Sequence, residues 1–187
     1  MKKYIWPSLK LTFFFIILCS VLYPLLIAGI AKLTPGGGRG ETVMVNGKIV
    51  GYANIGQKFS DDKYFWSRPS AVDYNAAGSA GSNKGPTNPD YLKQVRDRIE
   101  HFLVHNPSVK KEEIPAEMVT ASASGLDPDI SPRGAYVQAV RIAKTRNIPA
   151  GKIETLIAKQ IEKPLLGLFG PEKVNVLKLN IQLDKLK

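Results

Sequence analysis

The chain has 187 residues, a formal net charge of +10 and a single cysteine. All 16 acidic residues lie beyond residue 33, together with 22 of the 26 lysines and arginines, so that portion carries about +6. Its cations alternate with acids, as in Lys110-Lys111-Glu112-Glu113, which describes a solvated face rather than a nucleic-acid groove, and one cysteine excludes an internal disulfide framework.

Residues 1–10 carry Lys2, Lys3 and Lys10 and read as a cytoplasmic tail. Residues 11–33 read as a transmembrane helix: Leu11 to Ala31 contains no charge, and such a stretch makes a helix of roughly 31 Å, the thickness of a bilayer's hydrocarbon core. A secretory signal is the competing reading, with Gly29-Ile30-Ala31 as a small-x-small cleavage site, but its apolar core would be shorter. Pro24 inside the span predicts a kink satisfied by a neighbouring group. More cations precede the span than follow it closely (Lys32, Arg39), which places the N-terminus in the cytoplasm and the rest outside. Cys19 lies within the span, and Leu18 before it does not suit a lipoprotein signal.

Residues 34–41 are a Gly-rich linker. The remainder, 42–187, reads as one small mixed α+β domain outside the cytoplasm. Asn46-Gly47 between Val43-Met44-Val45 and Ile49-Val50 predicts a type I′ hairpin. From Tyr64 to Pro89 periodicity disappears, leaving a long loop that holds Tyr64, Phe65, Trp66 and Tyr74. Long unstructured loops in compact domains are functional or disordered, and the aromatics argue against disorder; an Ω-loop packed on its own aromatics is the bland alternative. Tyr64, Phe65, Trp66, Arg68, Ser82 and Asn83 are therefore interface candidates, because rigid aromatics and arginine anchor interfaces.

Asn88-Pro89 predicts a helix start, with Leu92, Val95, Ile99 and Phe102 on its apolar face to about residue 105. Ser131-Pro132 predicts a second helix to about Asn147, packing through Ala135, Ala139, Val140 and Ala143. A third is expected over Ala150 to Lys163, stopped by Pro164. Leu177, Leu179, Ile181 and Leu183 alternate with Lys178, Asn180 and Gln182, which predicts a closing strand over Val174 to Leu183.

Chemistry is sparse. His101 and His105 have metal-capable i, i+4 spacing, but no Glu follows His101 and no Cys is near, and solvated helix histidines fit better. Gly78 to Gly85 is glycine-rich without a P-loop ending; its N–H groups suit a turn or an anion cradle. Thr120 to Pro132 groups Ser124, Gly125, Asp127 and Pro128 in a structural corner, with Ser131 as a helix cap. No metal site and no catalytic set emerge. An envelope enzyme is correspondingly disfavoured.

Taken in order, Gly56-Gln57-Lys58-Phe59, Tyr64-Phe65-Trp66-Ser67-Arg68-Pro69-Ser70-Ala71, Gly81-Ser82-Asn83, Thr120 through Pro128, Arg141-Ile142-Ala143 and Val174 through Asn180 resemble the C subunit of the Kdp-type bacterial potassium-transporting P-type ATPase. The resemblance covers nearly the whole chain. It departs at Ala80, where glycine is expected, and at Asp129, where histidine or asparagine is expected. It implies a non-catalytic accessory subunit in the bacterial inner membrane. The implied partners are a channel-like potassium-binding subunit, an ATP-hydrolysing subunit and membrane lipid. It implies a chaperone-like role that raises the hydrolysing subunit's affinity for ATP. No cofactor is assigned to this chain; ATP enters through the complex, and direct nucleotide binding at Gln160 or the Gly78–Gly85 loop is the alternative.

Overall fold

A computed structural model describes residues 2–186, which form two compact units, one ending at Thr42 and one beginning at Val43. The first unit is a helix of three stretches: α1 (Lys2–Ile17), a π turn (Leu18–Leu22) and α2 (Tyr23–Ala31). Its Lys3–Ala31 portion is long and apolar enough to cross a membrane. The helix thus begins at Lys2, well before residue 11. The π turn answers Pro24. A proline ring clashes with the carbonyl four residues back, and here the preceding turn widens, with Tyr23 N–H donating to Leu18 O. Successive turns then end the helix, with positive φ at Gly36, Gly37, Gly38 and Gly40.

The second unit begins inside β1 (Thr42–Val45) and continues into β2 (Lys48–Tyr52). Asn46 and Gly47 join them at φ +50° and +76°, as the expected turn requires. No helix or strand follows until α3 (Pro89–His105), where the Asn88 side chain caps by accepting from Tyr91 N–H. Only Phe102 of that helix is buried, and Leu92 stays exposed.

A three-stranded antiparallel sheet organises the rest, in the order β3 (Asp129–Ile130), β5 (Lys173–Asn175), β4 (Ile161–Glu162). Ile130 and Ile161 both pair with Val174. Between β3 and β4 lie α4 (Pro132–Tyr136), α5 (Ala139–Arg146) and α6 (Ala150–Gln160). The single helix expected over 132–147 is therefore two helices, and Val140 faces solvent while Ala135, Ala139 and Ala143 are buried. Asn147 ends α5 in the left-handed conformation, at φ +54°. Helix α6 stops at Gln160, and Ile161 and Glu162 go to the sheet.

The closing segment corrects the sequence reading. Only Lys173–Asn175 is strand; Val176–Asp184 is a helix, α7, capped by the Asn175 side chain accepting from Lys178 N–H. Val176, Leu179, Asn180 and Leu183 are buried, which is the 3, 4, 7 spacing of a helix face. The alternating leucines fitted both periods, and a polar residue, Asn180, occupies a core position. The core joins these helices to Val174, Ile130, Phe102, Phe65 and Trp66.

Candidate functional site

The long loop is held by side chains in place of a β-ladder. Phe65 N–H donates to Asn180 Oδ1 at 2.8 Å and Asn180 Nδ2 donates back to Phe65 O at 3.0 Å. Trp66 N–H donates to Gln138 Oε1 at 2.8 Å. Two arginines hold the carbonyls upstream: Arg141 Nη1 reaches Asp62 O at 2.5 Å and Arg146 Nε reaches Lys63 O at 2.7 Å. A buried backbone needs partners, and α5, α7 and the turn before α5 supply them as amides and guanidinia.

Trp66 sits at the centre. Its indole N–H donates to Asp61 O. The Arg141 guanidinium lies 4.3 Å from its ring centre, and the rings of His105 and His101 lie 5.1 and 5.4 Å away. Arg141 also binds Asn106 Oδ1 and Gln138 Oε1. Burial pushes its pKa down to about 10, against the pull of the Asp62 carboxylate. His105 Nδ1 lies 2.9 Å from Asp62 Oδ1. The two histidines are thus parts of an aromatic cluster, and no group of three potential metal ligands occurs among the described residues.

A second joint connects the loop to the Thr120–Pro132 corner. Arg68 Nη1 donates to Asp127 Oδ2 at 2.7 Å, while Asp127 Oδ1 accepts from Asp129 N–H. Ser70 Oγ donates to Gly125 O at 2.7 Å, Ser79 Oγ to Ser124 O, and Ser122 N–H to Pro69 O. The Tyr74 hydroxyl donates to Arg68 O, and burial pushes the phenol up to about 12. Gly125 has φ +70°, and a Cβ there would lie 2.5 Å from Val72 Cγ2 and 2.8 Å from Ala80 O. Glycine is demanded on both counts. Ser131 caps α4 through Gly134 N–H and donates to Glu117.

Two cavities flank this joint. One, of about 320 Å³, is lined by Lys58, Trp66, Arg68, Tyr74, Arg98 and His101 among others. The other, of about 290 Å³, meets Arg68, Glu117, Asp127, Asp129 and Lys173. Arg68 Nε and Asp129 Oδ1 are buried without a hydrogen-bond partner, although each side chain is paired through another atom, Asp129 with Lys173 at 2.7 Å. That hydrogen bond raises the Lys173 pKa. Opposite charges here compensate one another, which suits holding over proton transfer.

These positions revise the interface reading. Phe65 is fully buried and Trp66 is 8 % exposed, so both anchor the domain's own core and neither can reach a partner without unfolding it. Arg68 is turned to Asp127. Tyr64 is half-buried, its hydroxyl bonded to Asp184 Oδ2. Ser82 is half-buried and Asn83 exposed, at φ +51°. Ser124, Gly125, Asp127 and Pro128 form a corner held against the loop. Gln160 sits half-buried at the end of α6 and lines neither flanking cavity.

Comparison with known proteins agrees with this arrangement of motifs. Residues 5–185 match the family described as KdpC: K+-transporting ATPase, c chain. The chain belongs to that family. Relatives named potassium-transporting ATPase KdpC subunit include one from Flavobacterium johnsoniae, 58% identical over 185 residues, covering 99% of this chain and 100% of its own. One from Bacteroides fragilis is 53% identical over 188 residues, covering 99% and 98%. One from Caldanaerobacter subterraneus is 47% identical over 184 residues, covering 98% and 95%. Within this c-chain member, the residues to which sequence reading assigned no tertiary contact are Asn106, Gln138, Arg141 and Asn180. All four are buried polar groups. Their one sequence signal is a polar residue standing at an apolar-period position, as Asn180 does four residues after Val176.

Proposed function

We propose that this protein is an accessory subunit of a potassium-transporting ATPase. Its N-terminal helix anchors it in the bacterial inner membrane, and its domain acts as a rigid binding module. The observation that carries this reading is the family match over residues 5–185. The site supports it, because the motif residues Arg68, Asp127 and Asn180, together with Gln138, are engaged in fixing the loop and corner. The chain works beside a potassium-binding subunit and an ATP-hydrolysing subunit. It supports assembly and raises the latter's affinity for ATP. Deleting it from the pump and restoring it tests this: the expected result is loss and recovery of complex yield, with a higher KM for ATP in whatever complex remains. Unchanged yield and KM would end the proposal.

The lysine distribution favours a domain outside the cytoplasm. A second reading, direct nucleotide binding, draws on the cavity lined by Lys58, Arg68, Asp73, Arg98 and Trp66, where a ligand's anionic group would have to compete with Asp73 and Asp127 for Lys58 and Arg68. It requires the domain to face the cytoplasm. Sidedness therefore separates the two.

A further inference from the structure

Between β4 and β5 the chain forms a tip that nothing in the domain covers. Leu165, Leu166, Leu168 and Phe169 are 63–82 % exposed, although they are large and apolar. From Pro164 to Gly170 no side chain carries a polar group. The backbone of the tip bonds to itself: Leu165 N–H donates to Phe169 O, Gly167 N–H to Pro164 O, and both Leu168 and Phe169 N–H to Leu165 O. Leu166 and Gly167 hold φ of +55° and +74°, a conformation leucine rarely adopts. Exposed lysines, Lys159 and Lys163, precede it.

We infer that this tip is a lipid-binding wedge that enters the leaflet on the domain's side of the membrane. A segment in lipid must satisfy its own backbone groups, and this one does so at four N–H groups. Apolar wedges next to cations are what the bilayer interface binds. Between Pro164 and Gly170 no polar side chain is present to set the register of a protein partner, although exposed Lys163 and Glu172 flank the tip. The inference rests on the N-terminal helix being a membrane anchor.

The test uses the full chain with Trp6→Phe and Phe169→Trp, reconstituted into phosphatidylcholine–phosphatidylglycerol vesicles with brominated acyl chains. Position 169 is exposed, so the substitution leaves the core intact, and the emission of buried Trp66 measured in the Trp6→Phe chain supplies the background. We expect position-169 emission to be quenched about twofold or more by brominated lipid, and the quenching to fall when Leu166→Asp and Leu168→Asp are added. A protein that stays with the vesicles after an alkaline wash yet shows no quenching overturns the wedge and leaves the anchor intact. Loss from the vesicles in that wash overturns both. Shielding of position 169 from iodide only in the assembled pump, without lipid quenching, overturns the wedge in favour of a subunit contact.

Discussion

Trp66 is met by several kinds of chemistry at once: a guanidinium, two imidazoles and the Phe102 ring surround it, and its own N–H reaches Asp61 O. Trp66→Ala is expected to cost about 3–5 kcal/mol, because a large cavity opens and Arg141 loses its ring. The variant should fail to assemble because it melts earlier, which thermal unfolding and co-purification measured together will show. Arg68 and Asp127 are partly exposed, so Asp127→Ala is expected to cost less, about 1–3 kcal/mol. It frees Arg68 and the Asp129 N–H together, and should lower Tm without a selective loss of ATPase rate in pump that still assembles. Tyr74 gives a pH signature. Its folded pKa, about 12, lies above the ordinary value near 10. The neutral phenol is favoured in the fold, so its contribution is complete below pH 10 and lost as pH rises through 12. The wild type and Tyr74→Phe should therefore differ in the alkaline slope of Tm against pH, with the shallower fall in Tyr74→Phe. Parallel slopes would remove Tyr74 from the account.

Among the elements, α7 shows best how one side chain decides an assignment. Asn180 caps nothing within its own helix; it binds both backbone groups of Phe65. Asn180→Leu improves helix propensity and adds apolar surface, yet it strands a buried N–H and a buried C=O. It is expected to destabilise by about 2 kcal/mol or more, with urea unfolding as the measurement; equal or greater stability would mean that the loop finds other partners. Gln138 does the same for Trp66, and its inward side chain marks the break between α4 and α5. The π turn ahead of Pro24 is the N-terminal helix's counterpart, since one residue's ring reshapes the turn before it.

At the scale of the whole molecule, the questions are sidedness and anchoring. In a Cys19→Ser background, Ser82→Cys is expected to react with an impermeant thiol reagent added to spheroplasts. Labelling only after lysis would reverse the orientation and revive direct nucleotide binding. A chain beginning at Thr34 is expected to fold and stay in solution, because the unit from Val43 onward forms its own core. Its binding to the other subunits should weaken greatly, since the span confines partners to one plane. Full potassium uptake supported by that shortened chain would dismiss the anchor.

The sequence by itself determined the features that depend on near neighbours. The Asn46-Gly47 hairpin, the Asn88 and Ser131 caps and the stop at Asn147 all arise from residues within a turn of one another, and the uncharged span is one contiguous run; local chemistry specifies them. The motifs also sufficed for the family. Tertiary structure decided what each motif touches. Phe65 and Trp66 read as anchors for a partner because nothing local shows that Asn180 and Gln138 wait to bind their backbones, 115 and 72 residues away in the chain. The pattern from Leu177 to Leu183 satisfied two periods at once, and the choice of helix fell to Asn175 as a cap and to the loop that Asn180 holds. Burial of a polar group is a property of the assembled core, and only the fold brings its partner within reach.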